Sequence, residues 1–189
     1  YLKVGEAVDR DKLKKLKKQK VARFFIDSND EEKYQHYLDD LLDAAVTDKN
    51  MAASDRADIV SGAAKNAVEE MRENPSSKKA YKATEKASKG IIDVVKNNPE
   101  MLKELFKIKS EEDVTLQTAV NTSSLAVRMA QLKGMSEEEI EAISTGGLLR
   151  DVGITKMDKK YQELFSKPLE TFTNIELKIY KTHPQLGVK

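Results

Sequence analysis

The sequence predicts a mainly α protein: a helical bundle preceded by the end of a small α/β or β-containing N-terminal domain. Three observations carry that expectation. Apolar residues recur with a period near 3.6 through most of the chain. Two capping-box signatures, Ser136 with Glu139 and Thr173 with Glu176, announce helix starts. Only one stretch, "VARFFI" at 21–26, has the β-branched and aromatic run of a strand.

The elements follow in order. "YLKV" at 1–4 is a candidate partner for the strand at 21–26. Between them "DRDKLKKLKKQK" places Leu13 and Leu16 on a short helix covered by lysine. Six lysines between Lys12 and Lys20 read as a solvated face whose stems cover apolar surface, rather than as a nucleic-acid or membrane patch. "DSNDEE" separates this unit from a helix at 31–49 striped by Tyr34, Leu38, Leu41, Leu42 and Ala45. The next stripe is Val60, Ala64, Ala67, Val68 and Met71, closed by "ENPSS" at 73–77. A third helix carries Ala80, Ala83, Ala87, Ile91 and Val94 up to "NNPE". Leu102, Leu105 and Phe106 mark a short helix, and Leu116, Val120, Ser124 and Val127 the one after it. Ser136 then caps a helix through Leu149, and Thr173 caps one bearing Ile175 and Ile179.

Composition bounds the function. A chain of 189 residues holds one domain, or a domain and part of another. Its 33 basic and 32 acidic residues leave a net charge of +1, against binding to nucleic-acid polymers, which needs a net basic surface. No run of apolar residues reaches the roughly 18 of a membrane span. Cysteine is absent, which excludes disulfides and thiolate metal sites and is compatible with a reducing cytoplasm. Opening on Tyr1 and stopping at Lys189 inside a patterned stretch, the sequence reads as a piece of something longer.

Few residues could carry chemistry. No nucleophile elbow and no glycine-rich phosphate loop is present. Of the two histidines, His36 sits on a mostly polar helix and reads as a surface residue. His183 is expected to end the helix capped by Thr173, with Pro184 fixing the chain as it leaves. "GGLLRDVGITK" at 146–156 runs an apolar helix into a charged pair, Arg150-Asp151, and a glycine. Asp151 and His183 are two possible metal ligands, short of the three that a hydrolytic cation usually takes from protein.

Three separated blocks carry a family resemblance. "DVTLQTAVNTSSLAVRMAQLKGMSEEEIEAISTGGLLRDVG", followed by "SKPLETFTNIELKIYKTHPQLG", resembles the HD-GYP family, bacterial metal-dependent phosphohydrolases of the HD superfamily that hydrolyse cyclic di-GMP. The resemblance implies an HD-domain-like helical bundle, cytoplasmic and bacterial, with iron or manganese as the cofactor of an active member. It implies a three-part chain: 1–29, the end of a small regulatory domain; 30–74, connecting helices; and 75–189, the HD-GYP-like domain, incomplete before its GYP motif.

The departures fall on the metal and phosphate side. Where the family has a histidine after "DVTLQ", this chain has Thr118, and the histidine of the family's His-Asp pair is Arg150. Asp151 and His183 are retained, and Lys167-Pro168 matches a family pair. The family's phosphate-contacting lysine is replaced by Ile154, with Lys156 nearby. Guanidinium has no lone pair and stays protonated, so Arg150 cannot ligate a cation. At about 4 Å and an effective dielectric near 20, it would oppose each unit of metal charge by roughly 4 kcal/mol. The expectation is a non-catalytic module without cofactor, serving signalling or a protein partner, with Asp151 paired to an arginine or to backbone donors, Arg150 being the arginine that would fill the former metal volume. Two alternatives stay open: an active phosphodiesterase with an altered metal site, and a dead site that binds a cyclic dinucleotide through Arg150, Lys156 and Lys167.

Overall fold

The structure, a computed structural model, describes residues 10–19, 26–48, 50–108 and 114–188. Ten helices occur among them: α1 (Arg10–Lys18), α2 (Glu31–Thr47), α3 (Ala53–Glu73), α4 (Lys78–Asn97), α5 (Met101–Lys107), α6 (Val114–Leu132), α7 (Glu137–Leu149), α8 (Lys159–Gln162), α9 (Asn174–Tyr180) and α10 (His183–Val188). Short 3-10 turns lie at Ser28–Asp30, Val152–Lys156, Glu163–Ser166 and Leu169–Thr171. No helix among the described residues is long and apolar enough to cross a membrane.

The chain divides into two compact units, Tyr1–Tyr37 and Leu38–Lys189. In the first, the expected lysine-rich helix is α1. The two expected strands, at 1–4 and 21–26, lie outside the described residues except for Ile26, which is exposed and in no strand. No strand occurs among the described residues, so the α/β or β-containing N-terminal domain finds no support there.

The second unit is a helical bundle built on α3, α4, α6 and α7. The α3 stripe is buried at Val60, Ala64, Ala67, Val68 and Met71, and the α4 stripe at Ala80, Ala87, Ile91 and Val94. Val120 and Val127 of α6 and Leu148 of α7 are fully enclosed with them. Spacing of three and four residues puts each set on one helix face, which is why the periodicity predicts the core. Ser77 caps α4 by accepting from the Ala80 N–H at 3.1 Å. The two boxes are complete: Ser136 N–H donates to Glu139 at 2.8 Å, and Thr173 N–H donates to Glu176 at 2.8 Å. The short helix expected at Leu102, Leu105 and Phe106 is α5, whose buried face is Met101 with Leu105 while Phe106 is exposed.

Polar groups also stitch the core. Ser123 Oγ of α6 donates to the Ser144 carbonyl of α7 at 2.9 Å, and Ser144 Oγ reaches the Ser88 carbonyl of α4 at 3.4 Å. Burial makes such hydroxyls costly unless bonded, so the small residues there serve both close approach and polar satisfaction. Gly147 marks the contact: a Cβ on it would stand 2.8 Å from the Ser123 Cα.

Candidate functional site around Asp151

Helix α7 ends at Leu149, and Arg150, in helical backbone, is its C-cap. Asp151 (φ −107°, ψ 6°) then opens the 3-10 turn Val152–Lys156, its carbonyl accepting from Ile154 N–H at 3.1 Å. This turn packs directly on α10. Gly153 permits it: a Cβ there would run into the His183 carbonyl oxygen and stand 2.6 Å from the Gly187 nitrogen. Asp151 is therefore buried (6 % exposed) beside His183 (7 %).

His183 is not the end of its helix, as expected, but the first residue of α10; α9 stops at Tyr180. Pro184 lies in the first turn of α10, where a missing N–H costs nothing because that donor has no intrahelical acceptor. His183 Nδ1 lies 2.6 Å from the Tyr180 carbonyl oxygen. A carbonyl only accepts, so Nδ1 carries the proton and donates. Nε2 faces Asp151 Oδ1 at 3.5 Å. The imidazole is boxed edge-on by Phe165 and Tyr180, with centroids 5.0 and 4.9 Å away.

Arg150 closes the other side of the carboxylate. Its Nε donates to Asp151 Oδ2 at 2.9 Å, and a second guanidinium nitrogen lies 2.9 Å from the same oxygen. A third donates to Thr122 Oγ1 on α6 at 3.2 Å. Thr118 is half-buried one helical turn before Thr122 and has bonding partners of its own.

The fold thus brings together Arg150, Asp151 and His183 of the residues singled out in the sequence. Lys156 and Lys167 are exposed and Ile154 is half-buried; among the described residues no side chain of the three bonds to the trio. The charge of Lys167 acts on Glu176 instead, within the second capping box. His36 is exposed, as its polar helix implies. Thr122 and the Tyr180 carbonyl were not foreseen. The only sequence signal for either is spacing, four residues after Thr118 and three before His183.

The described residues supply fewer ligands than the three that a hydrolytic metal usually takes from protein. Asp151 and His183 offer two ligand atoms, a guanidinium already holds the carboxylate, and among the described residues no three His, Asp or Glu side chains group to hold a cation.

No protein-family model matches the chain, and no curated protein matches it. Among solved structures it is similar to Bd1817, an HDG"Y"P protein from Bdellovibrio bacteriovorus, at 26% identity and a TM-score of 0.74. That match covers 99% of this chain and 60% of the other, so the chain spans less than two thirds of that protein's length. The fold of this chain is HD-GYP-like.

Proposed function

We propose that this chain is a degenerate HD-GYP-like module, one that works in bacterial cyclic di-GMP signalling through a protein partner and without metal-dependent hydrolysis. The observation that supports this most is the guanidinium of Arg150 on the buried Asp151 carboxylate. A fixed cation there supplies the counter-charge that a divalent ion would otherwise bring, and it repels such an ion. Thr118 in place of an imidazole adds no strong ligand. The test is metal analysis of the protein after exposure to iron or manganese, together with an assay of cyclic di-GMP turnover. Neither bound metal nor hydrolysis is expected; stoichiometric metal with turnover refutes the reading.

One observation favours a second reading. His183 donates from Nδ1 to a backbone carbonyl and turns Nε2 toward Asp151. That is how ligating histidines are usually held. In this reading Asp151 and His183 retain a single displaced iron or manganese ion, and Arg150 swings out to clamp a substrate phosphate. Asp151→Ala separates the two, because activity that is absent, or that survives unchanged, removes the second. Calorimetric titration with cyclic di-GMP tests the receptor form, with Arg150, Lys156 and Lys167 as phosphate partners.

A further inference from the structure

A second concavity lies between α4, the end of α6 and the start of α7, lined by neither Asp151 nor His183. Its volume is about 480 Å³, within the range of small-molecule sites. Two ion pairs tie α4 to α7 at its wall, Lys96 to Glu137 at 2.9 Å and Lys89 to Glu141 at 3.9 Å. They neutralise four of the six charges that line it.

The remaining charges are Asp93 and Arg128, and among the described residues neither has an ion-pair or hydrogen-bond partner. Asp93 is half-buried, and burial pushes its carboxyl above the ordinary range, partly offset by Lys96 and Lys89. Gln131 lines the same space, and both its amide nitrogen and its amide oxygen are buried without a partner. Neither amide atom is open to the pocket, so the groups a ligand can reach there are Asp93 and Arg128. The rest of the lining includes Ile92, Met135 and Ile140, which are apolar.

A ligand for this set carries one positive and one negative group, no net charge, and an apolar body. We propose that the pocket between α4, α6 and α7 binds a free amino acid with an apolar side chain. Arg128 takes the α-carboxylate, in the bidentate manner that guanidinium geometry allows. Asp93 takes the α-ammonium, and the side chain lies on Ile92, Met135 and Ile140. A purely anionic ligand would leave Asp93 facing like charge, and a purely cationic one would do the same to Arg128.

The test is calorimetry on the full chain with L-methionine, L-leucine and L-phenylalanine, run beside their decarboxylated amines, their deaminated acids and guanosine. Binding of at least one amino acid is expected, weakened about tenfold or more when either charged group is removed from the ligand. Asp93→Asn, which is isosteric, and Arg128→Gln, which keeps a polar end on a shorter stem, should weaken binding by a similar factor, with circular dichroism confirming the fold. Asp151→Ala should leave it unchanged, which separates this pocket from the site around Asp151. Absence of binding by all three amino acids at millimolar concentration overturns the proposal. So does equal binding of an amine or an acid, tight binding of guanosine alone, or binding that survives in both variants.

Discussion

Arg150 Nε and a second guanidinium nitrogen both stand 2.9 Å from one oxygen of Asp151, Oδ2, leaving Oδ1 to face His183. The Asp151 side chain is 8% exposed and that of Arg150 38%, so a buried carboxylate is held from a half-open edge. Removing the guanidinium leaves Asp151 with His183 alone. The cost of an orphaned buried charge then competes with hydration through the gap that the lost side chain opens. Arg150→Ala should destabilise the protein by about 1–3 kcal/mol, below the full price of a wholly buried pair. Urea unfolding measures it, and a change under about 0.5 kcal/mol would show that the pair is no more than a surface contact.

Adjacent glycines on α7 should respond in opposite directions. A Cβ at Gly146 meets nothing within 4 Å, whereas one at Gly147 meets the Ser123 backbone at 2.8 Å. Alanine at 146 lowers the entropy of the unfolded chain and improves helix propensity, so Gly146→Ala should stabilise by about 0.5–1 kcal/mol. Gly147→Ala must push α6 from α7 and strain the Ser123–Ser144 bond, and should cost about 1–3 kcal/mol. Thermal melts of the two variants decide it; equal shifts would contradict the close helix approach.

Local signals were legible in the sequence because they close within a few residues. The capping boxes need only a hydroxyl and a carboxylate three residues apart, and the buried stripes need only helical spacing. Arg150 beside Asp151 is readable for the same reason. His183 was misplaced because a proline beside a helix end is compatible with either leaving one helix or opening the next. Thr122, the Tyr180 carbonyl and the fit of Gly153 against α10 depend on contacts between distant segments, which no single stretch encodes.

Acid should loosen both capped helices. The backbone N–H of Ser136, and after it the Ser136 hydroxyl, holds the Glu139 carboxyl below its ordinary range; Thr173 does the same to Glu176. A carboxyl lowered in the folded state adds stability above its unfolded value, near 4.3, and that stability disappears as pH falls through the folded value. Glutamine can still accept from the cap but does not titrate. The double variant Glu139→Gln, Glu176→Gln should therefore show a flatter fall in Tm between pH 5 and 3, in steps of about half a unit. Asp93 acts in the opposite sense: its raised carboxyl penalises the folded state as pH rises through that value. An unaltered acid limb in the double variant would argue against the two boxes as its source.

Gly153 is where fold and candidate site are most tightly coupled. The 3-10 turn after Asp151 lies on the first turn of α10 so closely that any Cβ would collide with the His183 carbonyl oxygen and approach the Gly187 nitrogen. These are backbone atoms, so no rotamer change relieves the clash; the turn or α10 has to move. Gly153→Ala should therefore cost about 3 kcal/mol or more, at the high end for a single substitution. It should also pull His183 away from Asp151, since the same movement carries the imidazole with the start of α10. A urea midpoint gives the first quantity, and the imidazole nitrogen resonances of His183 give the second, as Nε2 loses its neighbour at 3.5 Å. Gly62→Ala, at a helical glycine with nothing within 4 Å, is the control: it should stabilise as Gly146→Ala does and leave the His183 resonances in place. A Gly153→Ala protein with normal stability and unchanged His183 resonances would mean that α10 does not pack on this turn in solution.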